Sequence, residues 1–194
     1  FVDGDSVSSM VAACDYKRVG EGNTGANTGG MGAYSPPPEE LWNDAIEKQV
    51  LHEIMIPTAS ALKNLGHPYV GILYAGIMIT QDGPKVIEFN CRLGDPETQV
   101  ILPRLKTDLL TVMINVTSGN LRNITLEWDP RPCVGIVIAS GGYPGEYSTG
   151  HTVYGLDERQ PGVQIFHGGT EQDDGREFKT KGGRVVTVSA LGED

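Results

Sequence analysis

Val86-Ile87-Glu88-Phe89-Asn90-Cys91-Arg92-Leu93-Gly94-Asp95-Pro96-Glu97 is the stretch from which the rest of the chain can be read. Its first residues alternate apolar and polar. On a strand, side chains point to opposite faces with period two, so Glu88, Asn90 and Arg92 are expected on one face and Ile87, Phe89 and Cys91 on the other. The apolar face can pack while the polar face carries chemistry. A carboxylate, a neutral amide oxygen and a guanidinium in one row suit a hard cation that holds phosphates, with the arginine turned to a phosphoryl oxygen. A solvated strand face with one ion pair is the alternative, because charged residues on the open face of an antiparallel strand are ordinary.

Working outward, Gly71 to Thr80 is a nearly continuous apolar run ending in Gln81-Asp82-Gly83-Pro84, which predicts an antiparallel hairpin with the Glu88 strand in the middle of a sheet. Gly76 within it points to close approach of a backbone or a ligand. From Glu39 to Leu65, Trp42, Ile46, Val50 and Ile54 recur every four residues as a helical stripe. Pro57 is expected to break or kink that helix into two pieces, and Gly66 to end the second. His52 and His67 have no partner at metal spacing and read as surface residues. Beyond the Glu88 strand, Thr98 to Arg104 reads as an apolar connector. Leu105, Leu109, Val112, Met113 and Val116 predict a helix that covers the sheet and ends near Gly119.

Toward the start, Phe1 to Val7 reads as a strand entering an Asp-Gly turn, and Val7, Met10 and Val11 as strand-like residues leading toward Lys17. Residues 20 to 38 show no apolar periodicity and many Gly, Asn and Pro, so a long structureless loop is expected. Gly25, Gly29, Gly30 and Gly32 would let backbone N–H groups approach a ligand there. After Trp128-Asp129-Pro130-Arg131-Pro132, short strands are expected at 134–139, 163–167 and 184–191, separated by glycine-rich turns.

The 194 residues, 39% apolar and 21% charged, suit a globular protein of one or two domains. Fifteen basic against 25 acidic residues, a formal net charge of −10, argue against a nucleic-acid or anionic-membrane surface, so any phosphate binding must be local. Cys14, Cys91 and Cys133 lack C-x-x-C spacing, which points away from a disulfide framework or zinc site and toward a reducing cytoplasm. No apolar run reaches the about eighteen residues of a membrane span. The chain opens on a strand with no initiating Met and stops just after another, so a piece of a larger protein is expected.

Glu88-Phe89-Asn90-Cys91-Arg92 with Gly94-Asp95-Pro96-Glu97-Thr98-Gln99 resembles the metal-binding motif of the ATP-grasp ligases, in the form found in the phosphoribosylamine–glycine ligase (glycinamide ribonucleotide synthetase) family. Asp15-Tyr16-Lys17-Arg18, the run from Asn27-Thr28-Gly29-Gly30 to Pro36, Leu73-Tyr74-Ala75-Gly76 and Gly141-Gly142-Tyr143-Pro144-Gly145 are similar to the same family, in its order. The resemblance implies an α+β fold: over 1–128 the ATP-grasp antiparallel sheet half with packed helices, and over 129–194 a small β-rich C-terminal module. The 39–65 and 105–118 helices are expected on one face of that sheet.

It also implies an ATP-dependent carbon–nitrogen ligase of purine biosynthesis, joining glycine to 5-phosphoribosylamine through glycyl phosphate, with ATP and Mg²⁺ or Mn²⁺ as cofactors. Glu88 and Asn90 match the metal ligands, and Arg92 the arginine facing the transferred phosphoryl group. Lys17 and Arg18 match the basic pair that approaches the phosphates, with Lys17 and Arg92 as the catalytic cations. Asn27, Thr28, Gly29, Gly30, Asp95 and Glu97 match segments lining the substrate pocket. Asp95 or Glu97 would hold the glycine ammonium, unless Asp95 with Pro96 caps the next helix. Leu93 and Tyr16 stand where Phe and His are more usual, and Leu73 to Ile79 lacks the second carboxylate of the wider superfamily. The family's N-terminal domain and nucleotide lid are absent, so residues 1–194 alone are expected to be inactive. Another carboxylate–amine pair, or a non-catalytic interaction module, are the rival readings. No nucleic-acid or membrane partner is implied, and the oligomeric state is left open.

Overall fold

The computed structural model describes residues 1–8, 11–158, 160–175 and 177–193. In chain order its strands are β1 (Val2–Asp3), β2 (Cys14–Asp15), β3 (Arg18–Gly20), β4 (Thr24–Asn27), β5 (Gly32–Ser35), β6 (Val70–Gly71), β7 (Tyr74–Thr80) and β8 (Gly83–Asn90). Then follow β9 (Cys133–Ala139), β10 (Thr152–Val153), β11 (Val163–His167), β12 (Thr170–Gln172), β13 (Phe178–Thr180) and β14 (Arg184–Leu191). The α-helices are α1 (Asp44–Val50), α2 (Ile56–Asn64), α3 (Thr98–Ile101) and α4 (Leu109–Thr117). Helices and antiparallel strands are thus mixed, as expected. No described helix is long and apolar enough to cross a membrane.

The chain forms two compact units: Phe1–Ala12, Pro36–Gly94 and Leu105–Pro130 in the first, Ala13–Ser35, Asp95–Arg104 and Arg131–Asp194 in the second. The last of these crossings falls between Pro130 and Arg131. Two earlier segments, 13–35 and 95–104, also join the second unit. The first joins through the pairing of β5 with β9, and the second through Val100, which packs on Ala33 and Cys133.

In the first unit, Asn43 starts α1 by accepting hydrogen bonds from the N–H groups of Ala45 and Ile46, both at 3.1 Å. The expected break at Pro57 is a π-helical turn over Leu51–Met55, and the helix continues as α2. Proline removes an N–H and crowds the carbonyl four residues earlier, and a wider turn absorbs both defects without breaking the element. Gly66, at φ +82°, ends α2, with the His67 N–H reaching the Leu62 carbonyl at 3.0 Å. Val50, Met55 and Ala59 bury against Val2 and Leu73, with Ala75 and Ile77 of β7 packed on the same cluster. α4 starts at Asp108, whose carboxylate accepts from Thr111 N–H at 2.7 Å, and ends at Gly119. It buries Val112 and Val116 with Leu121. Leu105 lies outside this helix and bridges to Trp128. β1 turns at Asp3-Gly4 as expected, and also pairs with β6. Of the strand expected over 7–15, Val7 makes a bridge to Val2, Cys14–Asp15 form β2, and Met10 lies outside the described residues.

β7 and β8 form the predicted hairpin, but as a two-stranded sheet and not in the middle of a larger one. Among the described residues, the first unit's strands thus form the two-stranded sheets β1–β6 and β7–β8, with no single broad sheet for both helices to cover.

In the second unit an antiparallel sheet runs in the order β11-β14-β9-β5-β2. β11 and β14 have the bounds expected from their Val/Ile runs, and β9 begins one residue earlier. Residues 20–38 are not a structureless loop: β3 and β4 make a hairpin through Gly22 (φ +64°) and Asn23 (φ +60°), and β5 enters the sheet beside β9. That left-handed pair is the geometry of a tight hairpin turn. The 98–104 connector is α3 followed by a 3₁₀ turn, and Val100 buries against Ala33 and Cys133. Gly135 is required beneath it, since a Cβ there would lie 2.8 Å from the Val100 methyl.

Candidate active-site residues in two units

In the first unit Glu88 pairs across the hairpin with Gly76 and Asn90 with Tyr74. Residues paired in this way share a face. It is the face opposite Ala75 and Ile77, whose side chains pack on the helical core, so the chemistry-bearing side of β8 is the open one. Gly76 has a local explanation: a Cβ there would stand 3.2 Å from Glu88 Cγ, so the Glu88 side chain lies across the glycine. The Asn90 Nδ2 donates to Glu88 Oε1 at 3.0 Å. The two predicted metal ligands are therefore neighbours, as period two requires.

A bulge at Ile87 interrupts the register, since Gly76 pairs with Glu88 but Ile77 with Val86. It precedes Glu88 and leaves the Glu88–Asn90 relation intact. It does disturb the apolar row: Ile87 is 64% exposed and Phe89 40%, and Cys91 is exposed too, so the predicted packing face of β8 is not buried. Arg92 is not in the strand row either. β8 ends at Asn90, the chain bends, and the guanidinium donates to the Leu93 carbonyl at 2.8 Å.

Two oxygen donors do not make a metal cage, and among the described residues no cluster of three or more His, Cys, Asp or Glu side chains could hold one. The pair fits Mg²⁺ nevertheless. That ion keeps several waters and is commonly held by one or two protein oxygens together with phosphate. Exposed donors on an open face leave room for both.

The second unit holds Lys17, Arg18, residues 27–30, Asp95 and Glu97. Lys17 Nζ pairs with Asp15 Oδ2 at 2.6 Å, and Arg18 donates to the Gly25 carbonyl at 2.7 Å. The Thr28 hydroxyl and N–H both reach the Lys17 carbonyl at 2.7 Å, and Gly30 N–H reaches Thr28 Oγ1 at 3.0 Å. Asn27 closes the β3–β4 hairpin opposite Arg18. Asp15, whose side chain is 8% exposed, keeps Oδ1 buried without a partner. Burial pushes its carboxyl above the usual range; the Lys17 bond opposes this, and nearby Glu97 adds to it. Glu97 is itself buried.

Asp95 does not cap α3. Its Oδ2 pairs with Arg184 at 2.9 Å and its Oδ1 accepts from Gln99 at 2.9 Å, while the helix starts at Glu97 without a side-chain cap. Arg184 also donates to the Gly29 carbonyl at 2.9 Å and the Asp95 carbonyl at 3.1 Å, and Tyr143 bonds the Gly29 N–H at 3.0 Å. Asp95, Gln99, Tyr143 and Arg184 border a cavity of about 400 Å³, lined also by His167 and Gly168. Both glycines of the 27–30 segment make close contacts within the protein. A Cβ at Gly29 would meet the Arg184 guanidinium at 2.9 Å, and one at Gly30 would meet Pro96 at 2.4 Å. Sequence reasoning assigns nothing to Asp15, Tyr143 or Arg184. Asp15 stands inside a quoted motif, Tyr143 beside a glycine pair, and Arg184 directly after Gly182-Gly183.

Residues 1–98 match the family described as phosphoribosylglycinamide synthetase, ATP-grasp (A) domain, and residues 133–194 match its C domain. A phosphoribosylamine–glycine ligase of Yersinia pestis is 47% identical over 194 residues, 99% of this chain and 45% of its own length. One from Halalkalibacterium halodurans is 50% identical over 97% of this chain and 43% of its own. The chain thus spans less than half the length of these relatives. The crystal structure of phosphoribosylamine–glycine ligase from Thermotoga maritima superposes with a TM-score of 0.80 at 31% identity, over 99% of this chain and 46% of that one. A biotin carboxylase from Campylobacter jejuni shares the fold, with a TM-score of 0.54 at 16% identity over 85% of this chain and 35% of its own.

Proposed function

Since the chain belongs to the phosphoribosylglycinamide synthetase family, we propose that it carries the metal and terminal-phosphate side of an ATP-dependent ligase that joins glycine to 5-phosphoribosylamine. The products would be glycinamide ribonucleotide, ADP and phosphate, by way of glycyl phosphate. The observation that carries this reading is the Glu88–Asn90 pair, held side by side on the open face of β8 over a glycine. Segments 1–128 and 129–194 would be the ATP-grasp part and the C-terminal module.

In such a reaction ATP phosphorylates the glycine carboxylate, and the amine then displaces phosphate. The protein contributes positioning and charge neutralisation. Glu88 and Asn90 would hold Mg²⁺ or Mn²⁺, which when bound neutralises phosphate charge. Arg92, freed from the strand row by the bend after Asn90, would present its fork to phosphoryl oxygens. Lys17 and Arg18 would meet phosphate as cations, and Asn27 to Gly30 would line the substrate side. Asp95, which pairs with Arg184, or the buried Glu97 would hold the glycine ammonium. The cysteine pattern and the match to a ligase family support a cytoplasmic setting with small-molecule substrates.

The test is glycine-dependent ADP release by a full-length ligase containing this sequence, with phosphoribosylamine supplied. Release that needs both substrates and a divalent cation is expected. ADP release indifferent to glycine, or driven by a different carboxylate, would overturn the reading.

A further inference from the structure

Arg184 ties together three stretches of chain that the sequence separates widely. Its guanidinium donates to the Gly29 carbonyl, to the Asp95 carbonyl and to the Asp95 carboxylate, at 2.9, 3.1 and 2.9 Å. Tyr143 holds the N–H of the same Gly29 at 3.0 Å, so that peptide is gripped from both sides. A Cβ at Gly29 would stand 2.9 Å from the guanidinium carbon, so a side chain there would push Arg184 out of these bonds. A guanidinium is well matched to such a junction, since its planar fork serves several oxygens at once with little loss of freedom per bond, which an ammonium on a flexible stem does not do.

Arg184 lies at the start of β14, whose pairing with β9 and β11 anchors it in the sheet. Asn27 and Thr28 are held to the β3 side of their hairpin, but Gly29 and Gly30 lie between β4 and β5 and belong to neither strand. A segment of this composition loses considerable backbone freedom when it is fixed, and bonds to a rigid strand offset that cost in advance. Binding to an already fixed segment then forfeits less affinity to ordering. Asp95 is held by the same group, so one side chain sets both the glycine segment and the start of the 95–99 run.

We propose that Arg184 is a positioning residue that holds Gly29 and Asp95 in place for substrate binding, with Tyr143 as its counterpart on the other side of the Gly29 peptide. The proposal rests on the ligase reading only where it names the ligands as glycine and phosphoribosylamine; the clamp itself is a property of this chain.

Two measurements test it. Hydrogen exchange on this chain, unmodified and as Arg184→Met, is expected to show amide exchange at Gly29 and Gly30 faster by about tenfold or more, with 163–167 and 133–139 still protected. Arg184→Lys, which keeps the charge and the stem but loses the fork, is expected to change in the same direction and carries the test should Arg184→Met lose the sheet. In a full-length ligase containing this sequence, the same variants are expected to raise KM for glycine or phosphoribosylamine by about tenfold, while KM for ATP stays unchanged and kcat falls less. Unchanged exchange at Gly29 and Gly30 in both variants would overturn the proposal. So would faster exchange with both substrate KM values unmoved, since the segment would then be clamped for no ligand. An unmodified ligase that turns over without glycine would sink the functional reading and leave the exchange result standing.

Discussion

Replacing Asp3 with Asn should destabilise the first unit in a way that depends on pH. Asp3 is 8% exposed. Its Oδ1 accepts from the N–H groups of Asp5 and Ser6, at 3.1 and 2.7 Å, and its Oδ2 from Leu121 at 3.0 Å. One carboxylate thereby fastens the opening turn to the segment after α4. Burial pushes its pKa up, but the three N–H bonds, helped by Arg122, hold it below the usual carboxylate value. Asn keeps an acceptor for Ser6 and Asp5 but turns an NH₂ toward the Leu121 N–H, leaving a buried donor unsatisfied. That defect and the lost charge assistance amount to about 2–3 kcal/mol, less than three separate bonds because they share one group. For a chain of this size the shift in Tm is about 5–10 °C. A carboxyl with a lowered folded pKa contributes stability above its unfolded pKa of about 3.9, and loses it as pH falls through the folded value. Urea denaturation of both proteins should therefore show a constant gap between about pH 7 and pH 5 that narrows below about pH 4. A gap under about 0.5 kcal/mol at neutral pH, or one that widens in acid, would refute the argument.

In a full-length ligase containing this sequence, Glu88→Gln keeps the shape and removes the charge, and turnover should fall by about 100-fold at saturating Mg²⁺; activity within about twofold would mean that Glu88 is not a ligand. Asn43→Ala removes the acceptor for Ala45 and Ile46 N–H and should cost about 1 kcal/mol in urea unfolding, with Asn43→Ser recovering most of it. Gly142→Ala should cost roughly 2 kcal/mol, because the residue sits at φ +100° and its Cβ would lie 2.1 Å from the Glu146 carbonyl oxygen; an unchanged midpoint would show that this turn is free to relax.

Local patterns are legible wherever a local force decides the outcome. β11 and β14 follow from runs of branched residues between glycine turns, and the joining of Glu88 to Asn90 follows from strand period alone. The same period fails for Arg92, because β8 stops two residues earlier and nothing apolar marks the stop. The β3–β4 hairpin is hidden because its strands, Arg18-Val19-Gly20 and Thr24-Gly25-Ala26-Asn27, hold too few apolar residues to alternate. Its signal lies in the turn, where Gly22 and Asn23 both take positive φ. Pro57 reads as a breaker from its effect on an α-turn, and the chain answers with a π-turn.

The glycines at 29 and 30 carry the most instructive difference. From sequence their small size suggests room for a ligand, and in the structure that room is filled by the Arg184 guanidinium and by Pro96. Both explanations invoke the same property, the missing Cβ, and only a contact spanning 155 positions separates them. No window of sequence around residue 29 contains that partner. A glycine-rich segment held in this way is also a better binding surface than a slack one, because its ordering cost is met within the fold before any ligand arrives. The preference for glycine at 29 and the proposed role of the segment therefore have one cause: the residue that excludes a side chain there is the residue that fixes the peptide.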